Sequence, residues 1–75
     1  MRNYQHMQTR LRTHLAAQGL RLIDLAKLAG VDKATATRWA QHRVPAERVL
    51  EVERVTGISR HDIRPDLYPR ERGAA

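Results

Sequence analysis

The sequence predicts an all-α fold of four to five short helices, and three observations carry the prediction. Apolar residues recur at steps of three or four along most of the chain, Gly19, Gly30 and Gly57 each stand directly behind such a run, and no run alternates in period two for long enough to make a confident strand.

The first helix is expected over Tyr4 to Gln18, with Tyr4, Met7, Leu11 and Leu15 on one face and Gly19 as a left-handed stop. Leu22 to Ala29 follows with Leu22, Leu25, Ala26 and either Leu28 or Ala29 inward, and Gly30 ends it for the same backbone reason. Asp32 is a good N-cap for the third helix, Lys33 to Gln41. There Ala36, Trp39 and Ala40 fall on one side, while Lys33, Thr37, Arg38 and Gln41 fall on the other. Val44-Pro45 separates this segment from the next, because proline disfavours helix in the residue before it and fits the first turn of the helix after it. A fourth helix is expected over Ala46 to Thr56 with Val49, Leu50 and Val52 inward and Gly57 as its stop. Ser59-Arg-His-Asp62 reads as a capping box for a short fifth helix to Arg64. Residues 1–69 then form one domain, and residues 70–75 a flexible C-terminal tail.

A chain of 75 residues buries only about 60 % of its unfolded surface, so its core is small. There is no cysteine, hence no disulfide and no thiolate ligand for a metal. Apolar runs of three or four residues fall far short of the roughly 20 needed to span a bilayer, and nothing resembles a signal peptide, so a cytoplasmic chain without membrane partners is expected. The net charge is +6 and is unevenly placed. Residues 1–30 carry five cations against Asp24 (+4), residues 31–50 carry four against Asp32 and Glu47 (+2), and residues 51–75 balance five against five. A surplus confined to the first two thirds is the footprint of a polyanion-binding face, with nucleic acid the commonest such partner; a merely solvated basic surface is the plain alternative.

Enzymatic readings find little support. His6, His14, His42 and His61 are scattered without cysteine or a His-Glu pairing at ligand spacing, and there is no phosphate-cradling glycine loop or nucleophile elbow. No cofactor, metal or small-molecule substrate is expected.

Leu22 to Gln41 resembles the helix-turn-helix of phage repressors and Cro-type regulators. Ala26 stands where the two helices touch, Gly30 in the turn, Val31 at the apolar turn position, and Ala36 and Trp39 at the buried positions of the second helix, with Thr37-Arg38-Trp39 where the family often has Ser-Arg-Trp. Two helices that cross at about 90 to 120° through a three- to four-residue turn approach closely only with a small contact residue and a turn residue able to take a positive φ. Further on, Val44-Pro-Ala-Glu-Arg48, Thr56-Gly-Ile-Ser-Arg-His-Asp62 and Ile63-Arg-Pro-Asp-Leu-Tyr-Pro69 resemble the small Cro/YdaS-type regulators of prophages, described as Cro-like repressors or as antitoxins, over roughly residues 7–69. Two positions depart from that pattern: His42 stands where a glycine is usual, a tolerable residue for a left-handed turn, and Ala36 stands where Val or Ile is usual.

The resemblance implies a lambda-repressor-like DNA-binding domain whose helix 33–41 enters the major groove of a double-stranded operator, most simply as a homodimeric repressor. Lys33, Thr37, Arg38 and Gln41 are then the candidates for base contact, and Arg21, Lys27, Thr35 and Arg43 for phosphate contact. Asp32 has two readings, a cap on backbone N–H groups and an acceptor from a cytosine amino group. Trp39 is expected in the core rather than stacked on a base. The alternative function is an antitoxin that holds a protein toxin through its C-terminal third and autoregulates.

Overall fold

The computed structural model describes residues 3–69, with side chains described from residue 10 onward. The expected tail, 70–75, and the inward positions of Tyr4 and Met7 lie outside what is described. Five α-helices follow in order: α1 (Asn3–Ala17), α2 (Leu22–Ala29), α3 (Lys33–Gln41), α4 (Val49–Thr56) and α5 (Arg60–Ile63), with a 3-10 turn at Ala46–Arg48 before α4. No strand occurs among the described residues. The segment 63–68 is the end of α5 and a turn, in which Leu67 and Tyr68 donate their N–H groups to the Arg64 carbonyl at 3.0 and 2.9 Å.

The expected inward positions of α1 from Leu11 onward, of α2 and of α3 meet. Leu11 and Leu15 from α1, Leu22, Leu25, Ala26 and Ala29 from α2, and Ala36, Trp39 and Ala40 from α3 form one buried cluster with Val44, Val49, Val52, Ile58 and Ile63. Helix α3 packs on both α1 and α2, α2 on α4, and α4 on α5. Burying a Leu or Val contributes roughly 1.5 to 3 kcal/mol, and Leu15, Leu25, Val44, Val49 and Val52 are the large side chains withdrawn completely.

The hinge between α2 and α3 forms as its residues require. Gly30 adopts φ 72° and ψ 31°, its N–H reaches the Lys27 carbonyl at 3.3 Å, and the Val31 N–H reaches back to the Ala26 carbonyl at 2.9 Å. This double closure satisfies the last carbonyls of α2 and tucks Val31 against the core. The same pair of bonds closes α1, from Gly19 to Ala16 and from Leu20 to Leu15.

Four expectations need correction. Leu50 is 50 % exposed, not inward. The chain enters α4 through a 3-10 turn, and the inward line runs Val49, Val52, Thr56 instead. Thr56 tolerates burial because its hydroxyl donates to the Val52 carbonyl at 2.6 Å and accepts from the Ile58 N–H at 3.1 Å. His42 is not left-handed: its φ is −120° and its N–H continues the helical pattern to the Arg38 carbonyl at 2.9 Å. What stops α3 is the Val44-Pro45 segment, with Val44 buried. At α5, the Ser59 hydroxyl accepts from the His61 N–H at 3.1 Å rather than from Asp62, whose N–H goes to the Ser59 carbonyl. Between the two open positions in α2, Ala29 is buried and Leu28 exposed.

One cation is part of the interior. Arg64 is 8 % exposed; it donates to the Val44 carbonyl at 2.8 Å and grips Asp66 through two bonds of 2.9 and 2.7 Å. The Arg64 guanidinium holds the Asp66 carboxyl down at about 2, and Asp66 in turn raises the Arg64 pKa.

Candidate nucleic-acid interface

Helix α3 presents two adjoining rows. Lys33, Thr37 and Gln41 stand four apart along one, Ala34 and Arg38 four apart along the other, and all are exposed except the half-buried Thr37. Opposite them Ala36, Trp39 and Ala40 fill the core, so the helix is anchored by one face while the other stays open. Arg48 lies over the Trp39 ring at 5.9 Å and pairs with Glu51 at 2.7 Å, closing that side from solvent.

At the helix start Asp32 has extended backbone, φ −81° and ψ 167°, and its Oδ1 accepts from the Thr35 N–H at 2.8 Å. Thr35, through its side chain and then its backbone N–H, holds the Asp32 carboxyl below the usual carboxylate range, and the charge of Arg38 adds to this. The acid is therefore ionised and turned toward its own helix. Thr35 itself stands off the two outward rows and is half-buried, with Arg38 Nη2 at 3.5 Å from its hydroxyl.

The expected flanking cations divide into separate places. Arg21 lines a shallow groove with Arg12, Leu22, Ile23, Lys33 and Thr37, where α1 and the starts of α2 and α3 come together. Its guanidinium is engaged by Asp24, at 3.1 Å to Oδ2 and 3.2 Å to Oδ1, and the same carboxylate accepts the Arg21 backbone N–H at 2.8 Å. These bonds lower the Asp24 pKa and raise that of Arg21. Lys27 is exposed in the last turn of α2, and Arg43 lies beyond the far end of α3, 3.6 Å from Asp66. Arg43 shares a second cleft with Arg10 and His42. The structure thus joins Arg21, Lys33 and Thr37 in one groove and leaves Lys27 and Arg43 outside it.

Two residues of this face went unnoticed in the sequence. Ala34 was legible from its spacing to Arg38, but a small apolar residue gives no chemical signal. Arg12 had no local signal, because only tertiary packing carries α1 to the groove beside Lys33.

A compact set of helices in which α2 and α3 meet through a glycine turn, with a basic and hydrogen-bonding outer face on α3, defines a small helix-turn-helix domain. The chain belongs to the YdaS family: the family described as bacterial toxin YdaS matches residues 22–72, from the first residue of α2 onward. Such a chain is a small helix-turn-helix-type regulator or a component of a toxin–antitoxin system. The family's description is of a toxin, whereas the resemblance read from the sequence was to Cro-like repressors or antitoxins. No curated protein and no solved structure matches the chain. No helix among the described residues is long and apolar enough to cross a membrane, and no cluster of His, Asp or Glu there could hold a metal ion.

Proposed function

We propose that the chain is a sequence-specific double-stranded DNA-binding regulator, a repressor that occupies an operator with α3 in the major groove. The observation that supports this best is the outer face of α3, where Lys33, Ala34, Thr37, Arg38 and Gln41 form a continuous surface and the acid at its start, Asp32, is occupied by its own helix. Arg38 has the fork that takes guanine O6 and N7 together, Gln41 and Lys33 reach base edges, and the Ala34 methyl suits a thymine methyl. Arg12, Arg21, Lys27, Thr35 and Arg43 hold phosphates and set the register without reading sequence. Binding is the whole of the activity in this reading: it needs no catalysis and no cofactor, and it takes place in the cytoplasm as a homodimer on two half-sites.

Fluorescence anisotropy against the DNA upstream of the chain's own gene tests the reading. The operator duplex is expected to bind at least about 10³-fold more tightly than a scrambled duplex at physiological salt, and equal binding would refute it.

The family's description favours a second reading, membership of a toxin–antitoxin pair that grips a protein partner through the C-terminal third. Removing residues from Ile58 onward would be a poor test, since Ile58, Ile63 and Arg64 are buried. Expression of the intact chain alone is cleaner: growth arrest assigns it to the toxin side, and unimpeded growth removes that assignment.

A further inference from the structure

On the outside of α4 and its 3-10 lead-in, Glu47, Leu50 and Arg54 form an exposed ridge. Leu50 is 50 % exposed, against 46 % for Leu28 and 43 % for Leu67. Among the described residues neither Glu47 nor Arg54 has an ion-pair partner, whereas Arg48 and Glu51 beside them pair with each other at 2.7 Å.

We propose that this ridge is where two copies of the chain meet, α4 antiparallel to its mate and the two-fold axis passing beside Leu50. A two-fold interface must be self-complementary, so whatever residue i touches, the partner's residue i is touched in the same way. Glu47 and Arg54 lie about 5 to 6 Å to either side of Leu50 along the helix. Antiparallel pairing about Leu50 therefore sets each Glu47 against the partner's Arg54, twice, with the two leucines in contact between them. Parallel pairing would set like charges together. Ala46, small and exposed at the end of the ridge, leaves room for close approach.

The arrangement also suits the DNA reading, on which this one point rests. Five residue steps separate Gln41 from Ala46, which keeps the end of α3 within about 18 Å of the ridge. Two α3 helices on either side of such an axis can occupy major-groove segments one turn, about 34 Å, apart.

The chain has no cysteine, so a single introduced thiol reports proximity directly. Under mild oxidation Leu50→Cys is expected to form a covalent homodimer at least about tenfold faster than the comparably exposed Leu28→Cys or Leu67→Cys, because only a residue beside the axis meets its own copy at disulfide distance. Equal rates would overturn the proposal. Glu47→Arg and Arg54→Glu supply the second arm. Each alone places like charges together at both ends and is expected to sediment as a monomer where the parent chain is dimeric, while an equimolar mixture of the two regains the dimer. A parent chain that stays monomeric, or a mixture that does, counts against the ridge. Circular dichroism verifies that these exposed substitutions leave the fold intact. None of these measurements uses DNA, so their failure leaves the operator reading standing, and failure of the operator assay leaves the dimer standing.

Discussion

Asp32 sits where a carboxylate would repel DNA phosphates, yet its geometry ties it to Thr35. Asp32→Ser keeps an N-cap acceptor while removing the charge, and the expected outcome is unchanged sequence preference with binding at least as tight. A changed preference in DNA selected by the variant would instead make Asp32 a base contact. Arg38 and Arg12 separate the two kinds of contact. Arg38→Ala is expected to cost about 1 to 3 kcal/mol of binding and to relax discrimination at one base pair, as measured by anisotropy on single-site operator variants. Arg12→Ala is expected to weaken binding to every sequence alike and lower the salt slope by about one. Arg21 should weigh less than its position suggests, because phosphate must compete with Asp24 for the same guanidinium.

The two helices of the hinge were legible to the residue, and the reasons are local. Asp32 announces the start of α3, Gly30 the end of α2, and Ala26 the point of contact. Each of these signals lies within one turn of the feature it controls. Ala26 is 2 % exposed, so Ala26→Leu must push the helices apart. A loss of about 1 to 3 kcal/mol is expected in urea unfolding. Beyond the hinge the periodicity was read with less success. Leu50 looked inward because the fourth helix was taken to run continuously from Ala46, and a 3-10 turn leaves no mark in an apolar pattern. The stop after α3 was legible in Val44-Pro45, whereas the left-handed turn expected at His42 did not form, and the burial of Val44 depends on partners far along the chain. Arg64 was the largest omission, since an arginine in a balanced, charged segment gives no sign that it will be buried. In the candidate interface, α3 could be read from its own spacing, whereas Arg12 required the fold.

At the scale of the molecule, the C-terminal turn should be the acid-sensitive part. Asp66 lies at about 2 in the folded chain, below the roughly 3.9 of an unfolded aspartate. A depressed carboxylate contributes stability above its unfolded value, and that contribution is lost as pH falls from about 4 through about 2. Asp24 and Asp32, also lowered, act in the same direction. The melting temperature is therefore expected to fall across that window, and Asp66→Asn to lie below the parent at neutral pH while losing less on acidification. A parallel pair of curves would exclude the Arg64–Asp66 pair as the cause.

Both ends of α3 are held by groups that face away from its outer rows. Thr35 N–H on Asp32 fixes the start, and the buried Val44, its carbonyl gripped by Arg64, fixes the exit. The side chains at 33, 34, 37, 38 and 41 consequently contribute little to keeping the helix in place. They can be exchanged by mutation with small effect on folding, so the address such a domain recognises is free to drift, generation by generation, on an unchanged scaffold.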